Sequence, residues 1–388
     1  MPMYILKTPS GQRNITFTSD KNAFLDQRKK ILFAPLDWGI GHAARCVPLI
    51  RQKMNEGHEV VLASNGRSAA FLKKEFPSLT IHTDIPDYGV RYPKNIPMWF
   101  HFLLKSPSII KTIKSENWWL ENFIVKEKID EVYSDNRYGL YSHQVPCYFI
   151  THQLNIQAPL IISSAIKKLQ DSYLKNFNVC LVPDYPGFDN LSGQLGHPAS
   201  TSYKVEYIGP LSRFSGYAAH QHLDKKLQEE QLQRNVAHVK TSNKAHYLWT
   251  ALLSGPEPQR SILEEKILGI FKKLYAPCLI ICGRTDENFD RREQDVRIVS
   301  HLASEDLSTA LLNTDFVICR SGYSTIMDLH ALEIENIIFV PTPGQTEQEY
   351  LAQYHEEKSA KSFGRKKIKA ISQHKLDTSH LLESMQSF

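Results

Sequence analysis

The sequence predicts an α/β protein of two doubly wound parallel-sheet domains facing across a cleft. Three observations carry this: a chain of 388 residues, short β-branched runs alternating with helical periods, and a restart of that alternation after a polar break. A chain of this length outgrows one compact core and fits two domains of ordinary size. With 42% hydrophobic and 22% charged residues it reads as globular.

Residues 1–29 are mixed in charge and have no apolar stretch of the signal-peptide kind, so they read as an N-terminal extension. No apolar run approaches the roughly 18 residues that span a membrane. A cytoplasmic location is the expectation.

The first domain is expected over residues 30–211. A strand over 31–36 leads into a glycine loop, then a helix with Ala43, Val47, Ile50 and Met54 on one face and Gly57 as its stop. A strand over 59–63, a helix after Arg67 and a strand near 79–83 follow. That β-α-β-α-β order makes the strands parallel. Residues 96–128 read as helical, and further strands are expected over 130–134, 147–151, 179–183 and 205–208.

Residues 212–245 are polar and rich in Gln, Lys and His, the signature of a connection or an insertion. The pattern restarts over 246–358, with a strand over 247–253 and a helix over 259–274 that aligns Leu263, Ile267, Phe271 and Leu274. Strands over 278–282, 296–300, 316–319 and 337–340 complete a second Rossmann-like half. Residues 359–388 are basic and weakly patterned and read as a tail. The six cysteines form no CxxC pair or zinc spacing and read as buried, reduced thiols. The net charge of +5 suits a phosphorylated ligand or an anionic surface, and does not point to nucleic acid.

In such sheets ligands bind beyond the carboxyl ends of the strands, so the loops there are the candidate sites. The first loop is Asp37-Trp38-Gly39-Ile40-Gly41-His42. Gly39 and Gly41 allow close backbone approach, the following helix offers free N–H groups to an anion, and His42 can accept a proton near neutrality. The plain alternative is a strand-to-helix turn. The second loop holds Ser254 and Gly255, with Arg260 as a phosphate donor or as a solvated side chain.

The third loop, Arg320-Ser321-Gly322-Tyr323-Ser324-Thr325, opens a helix; its hydroxyls and N–H groups form a cradle for a diphosphate. Asp328, one turn on, can accept from ribose hydroxyls. Helix caps explain one of these serines, not the cluster. The fourth loop contains Gln345, Gln348 and Glu349, which suit sugar hydroxyls, or else a Thr346 cap closed by Glu349. Asp135 ends a strand and can orient a base or serve as one. His152 ends the next, and reads first as a structural histidine.

These loops resemble those of the GT-B glycosyltransferases, above all the MurG-like branch. The likeness rests on Gly39-Ile40-Gly41-His42, on Arg320-Ser321-Gly322 with Asp328 in place of a glutamate, and on Gln348 and Glu349 before Tyr350. It covers most of residues 31–354. It implies a GT-B fold, a UDP-sugar in the C-terminal half with 301–306 flanking the base, and an acceptor in the N-terminal half. The departures are fewer glycines in the first loop, Ser-Gly-Pro at the phosphate turn, and one acid for a glutamine.

The expected reaction is inverting displacement at the anomeric carbon, with His42 as base, oriented by Asp135. Arg260, Ser321 and the N–H groups after Gly322 would hold the leaving diphosphate without a metal or cofactor. A hydrolase or 2-epimerase on the same scaffold, or a non-catalytic nucleotide-sugar-binding module, are the alternatives. Between Lys94 and Lys128, six Lys stand against three Glu, among Trp99, Phe100, Phe102, Trp118 and Trp119. That segment fits either a peripheral membrane contact admitting a glycan or lipid-linked acceptor, or ordinary packing.

Overall fold

A computed structural model describes residues 28–89, 98–156, 160–215, 245–361 and 367–387. The extension before residue 28 and the connection over 216–244 lie outside the described residues, as do the side chains of Trp99, Phe100 and Phe102.

The first unit runs β1 (Lys30–Pro35), α1 (Ile40–Asn55), β2 (Glu59–Ala63), α2 (Gly66–Glu75), β3 (Ile81–His82), α3 (Met98–Glu127), β4 (Glu131–Asp135), β5 (Cys147–Ile150), α4 (Leu160–Leu174), β6 (Val179–Val182) and β7 (Val205–Tyr207). Its seven strands lie in the order β3-β2-β1-β4-β5-β6-β7, all parallel. Alternation along β1 explains the two-sided burial. Ile31 and Phe33 face one core, Leu32 and Ala34 the other, and all four are fully enclosed.

The second unit runs β8 (Tyr247–Leu252), α5 (Gln259–Phe271), β9 (Cys278–Ile281), β10 (Asp290–Glu293), β11 (Val296–Val299), α6 (Ser304–Leu312), β12 (Thr314–Cys319), α7 (Tyr323–Ala331), β13 (Asn336–Phe339), α8 (Thr346–Lys361), β14 (Lys367–Ala370) and α9 (Thr378–Ser387). Its sheet order is β10-β11-β9-β8-β12-β13-β14, parallel except for the β10–β11 pair. The fold is α/β with two parallel sheets, as the sequence predicts.

Three elements depart from the sequence reading. β10 is an edge strand of Asp290, Arg291, Arg292 and Glu293, without an apolar residue to betray it; Arg297 of β11 pairs with Asp290 at 2.7 Å. The supposed tail belongs to the second unit. β14 pairs with β13, and Ile371, Leu376 and Leu381 enter the core beside Trp249 and Leu263. Lysines interleaved with those apolar residues hide the pattern. The expected cap of α8 also lies one residue earlier: the Gln345 carbonyl accepts from Glu349, whose carboxylate reaches back to the Gly344 N–H at 3.1 Å.

The six cysteines are free and buried. One apolar core is continuous across both units, joining Phe33 and Val47 to Val317, Ile326 and Phe339. In each sheet the chain reverses direction of growth at its first strand: between β1 and β4, and between β8 and β12. Such switch points open crevices at the strands' carboxyl ends.

Candidate functional site

At the first switch point, Pro35 and Asp135 are paired across β1 and β4. The chain leaves β1 through Gly39, whose φ of 124° is left-handed territory that favours glycine, and enters α1 with no side-chain cap. His42 therefore stands in the first turn of α1 and leans over the end of β4. Its Nδ1 lies 2.7 Å from Asp135 Oδ1.

Asp135 is fully buried, yet it is ionised. Burial disfavours the charge, but Arg45 foremost and then His42 outweigh it and hold the carboxyl at about 2. Arg45, one helical turn beyond His42, grips both carboxylate oxygens through Nε and a terminal nitrogen, each at 2.5 Å. An ionised carboxylate only accepts, so the 2.7 Å bond puts the His42 proton on Nδ1, and the Arg45 nitrogen 3.0 Å from that atom is a contact and not a hydrogen bond. With Nδ1 carrying a hydrogen, a free lone pair can sit only on Nε2. The ring is partly open to solvent, with 17% of the side chain exposed.

The other terminal nitrogen of Arg45 lies 2.9 Å from Nδ1 of His152, just beyond β5. Arginine only donates, so Nδ1 of His152 accepts and its Nε2 carries the hydrogen. That N–H meets Glu347 Oε1 at 2.8 Å, on the first turn of α8 in the second unit. Burial, with a contribution from Arg45, pushes the His152 pKa down and keeps the ring neutral, against the opposing pull of Glu347. Tyr323 of α7 stacks on the His152 ring at 4.2 Å and donates its hydroxyl to the Pro183 carbonyl at 2.8 Å.

The N-terminus of α7 thus faces the N-terminus of α1. Gly322 occupies the cap position with no side-chain bond to the first turn, where Tyr323, Ser324 and Thr325 sit. Ser324 donates to the Gly41 carbonyl at 2.9 Å, and a Cβ at Gly41 would meet that hydroxyl at 2.9 Å. His42, Asp135, Gly39, Gly41, Tyr323, Ser324 and Thr325 therefore belong to one constellation.

The remaining sequence candidates sit around it. Ser321 donates to the Gln348 carbonyl at 2.7 Å, and Gln348 accepts from the Thr342 N–H at 2.8 Å, which ties the third loop to the fourth. Gly255 has φ 104° beside Thr342, whose buried hydroxyl has no hydrogen-bond partner; Ser254 precedes it, half-buried. Glu349 is occupied by Gly344, as above, and Gln345 contributes backbone only to the bonds of its turn.

Three charged candidates are engaged elsewhere. Arg260 is buried and pairs with Glu257 and Glu264, each at 2.5 Å. Arg320 is fully enclosed and donates to the carbonyls of Val340, Pro341 and Gln259 and to the Gln373 side chain; burial lowers its pKa to about 10. Asp328 accepts from Ser212 at 2.7 Å and Arg213 at 3.0 Å, so it fastens the end of the first unit to α7. Burial nonetheless raises its pKa. His301, before α6, lies 3.1 Å from Lys74 of α2.

Sequence reasoning missed two residues. Arg45 is legible only through its spacing of three from His42, which puts both on one helical face. Glu347 looks like an ordinary acid in a helix's first turn; nothing local marks it as a partner of His152.

Residues 261–381 match the glycosyltransferase family 28 C-terminal domain. The second unit thus resembles a family 28 glycosyltransferase domain, and the whole chain has the GT-B fold of solved glycosyltransferases. It is 24% identical over 344 residues to an uncharacterized glycosyltransferase of Methanosarcina acetivorans, covering 84% of this chain and 83% of the relative. Its fold matches the glycosyltransferase SnogD from Streptomyces nogalater, with a TM-score of 0.57 at 15% identity over 92% of this chain and 91% of SnogD. It also matches the spinosyn rhamnosyltransferase SpnG complexed with thymidine diphosphate, with a TM-score of 0.55 at 13% identity over 92% and 91% of the two chains. The family match spans α6, α7, α8 and β14, so it includes the loops that face His42 and most of the segment that reads as a tail.

Proposed function

We propose that the enzyme transfers a sugar from a nucleoside-diphosphate donor to an acceptor hydroxyl with inversion, and that His42 is the base. One observation carries this reading: an imidazole hydrogen-bonded to a buried, ionised Asp135 stands across from the uncapped N-terminus of α7.

In the proposed step, Nε2 of His42 takes the acceptor's proton as its oxygen attacks the anomeric carbon. The bond from that carbon to the diphosphate oxygen breaks on the opposite face. Asp135 stabilises the imidazolium that forms. Charge growing on the diphosphate is met by N–H groups of Tyr323, Ser324 and Thr325, by the Ser324 and Thr325 hydroxyls and by the helix dipole, a preorganised arrangement that needs no divalent ion. The thymidine diphosphate complexed with SpnG, a neighbour of the same fold, supports a nucleotide as ligand. Ser254, Gly255 and Thr342 border it from β8 and β13, and the unpartnered Thr342 hydroxyl supplies a further donor.

On the first unit, α3 turns Trp118 outward, 72% exposed, beside exposed Lys111, Lys114 and Lys126. This supports peripheral contact with an anionic surface carrying a lipid-linked acceptor. Among the described residues no helix is long and apolar enough to cross a membrane.

The direct test is a thermal-shift screen of UDP, TDP, GDP and CDP, followed by isothermal titration of His42→Ala. A ligand of the native state raises the midpoint. The reading requires one diphosphate to bind both proteins alike while only the variant fails in transfer. No shift with any of the four at millimolar concentration defeats it.

A further inference from the structure

The five side chains Glu347, His152, Arg45, Asp135 and His42 form one unbroken hydrogen-bonded chain from the second unit to the first. Every link has a fixed direction. His152 donates to Glu347 and accepts from Arg45; Arg45 donates to Asp135; His42 donates to Asp135. Reversing the His152 ring breaks two bonds at once.

We propose that Glu347 and His152 are positioning residues for His42, so that the base is fully set only when the two units are closed on each other. This rests on the reading of His42 as base and adds what sets it. Glu347 is the sole member contributed by the second unit. The other four stand on α1, at the end of β4 and just beyond β5. When the cleft opens, Glu347 leaves and the Nε2–H of His152 loses its acceptor. His152 is then free to turn, and Arg45 loses the partner that aims its outer nitrogen. Arg45 is common to both ends, since its inner nitrogens hold Asp135 and one lies 3.0 Å from His42 Nδ1. Tyr323, stacked on His152 from α7, reinforces the same dependence.

The consequence for catalysis is a coupling between donor-side closure and base alignment on the acceptor side. Such couplings between sites commonly amount to about 5- to 150-fold. Glu347→Leu removes the acceptor, whereas Glu347→Gln keeps an oxygen where Oε1 stands. Likewise His152→Gln keeps one acceptor and one donor, and His152→Leu keeps neither.

Histidine ring ¹⁵N NMR of the full chain reads the tautomers directly, each ring assigned by its own substitution. In the wild type at neutral pH, His42 should be the Nδ1–H form and His152 the Nε2–H form. Glu347→Leu should convert both to averaged signals with an unchanged melting midpoint, and Glu347→Gln should restore them. Turnover, followed as UDP released from UDP-glucose, should fall about tenfold in kcat for Glu347→Leu and His152→Leu, with KM little changed. The glutamine variants should recover most of it. Ring signals in Glu347→Leu identical to the wild type would overturn the proposal. So would a glutamine variant no better than leucine. His42→Ala separates the two readings. Normal turnover there removes the base itself, whereas lost turnover there beside normal turnover in both leucine variants removes only the coupling.

Discussion

The two crevices have the same topology and opposite chemistry. Each opens at the first strand of a parallel sheet, and each is roofed by a helix that starts on glycine without a side-chain cap. The first unit fills its crevice with titratable groups held in a dense network. In the second, the arginines that look available in sequence are spent inside the domain, and backbone N–H groups and hydroxyls face the gap. Proton transfer needs a group that changes charge, while holding an anion needs only fixed dipoles. On the proposed mechanism, the contrast divides the labour of transfer between the halves.

Breaking the first unit's side should have the largest effect. His42→Ala is expected to lower kcat by about 10² to 10⁴, the usual range for a positioned base, with nucleotide affinity nearly unaltered. Equal loss of affinity and turnover would show that the halves do not divide the work.

Next comes Asp135→Asn, which strands Arg45 in the interior. Removing one partner of a buried pair costs about 3–5 kcal/mol, to be read from urea unfolding at neutral pH. The pH dependence has a definite sign. The Asp135 carboxyl is held at about 2, below its unfolded value of about 3.9. Its contribution is therefore complete above that unfolded value and disappears as pH falls through the folded one. Asp135→Asn should lose stability at neutral pH and converge on the wild type in strong acid.

A smaller effect probes the second unit. Gly255 has φ 104°, so Gly255→Ala should cost about 1–3 kcal/mol in strain. It should also weaken UDP binding in a titration, because it shifts the turn beside Thr342. Smallest of all, Trp118→Ser should reduce co-sedimentation with anionic vesicles at low salt while leaving the unfolding free energy within about 0.5 kcal/mol, as for ordinary surface changes.

Most of the fold was legible because parallel strands buried on both faces are nearly continuous apolar runs. The strands expected over 31–36, 59–63 and 278–282 fall within a residue of β1, β2 and β9 at each end. What escaped was amphipathic or charged. β14 alternates lysine with apolar residues, and β10 has no apolar residue at all. The site was half legible for a related reason. His42 and Asp135 lie at strand ends, which the alternation locates. Which polar groups are already taken depends on neighbours distant in sequence, so nothing local distinguishes Arg320, enclosed by carbonyls 20 and 61 positions away, from an arginine facing a ligand. Arg45 and Glu347 escaped for the converse reason: their partners lie 90 or more positions away.

The contact between Ser324 and the Gly41 carbonyl has a kinetic meaning. On the proposed reading, a nucleotide bound at the amides of α7 competes with that short bridge, so the fraction of molecules already ajar is the one that captures it. Observed affinity is discounted by that fraction, and a substitution that props the doorway open would speed capture without adding a single contact to the guest.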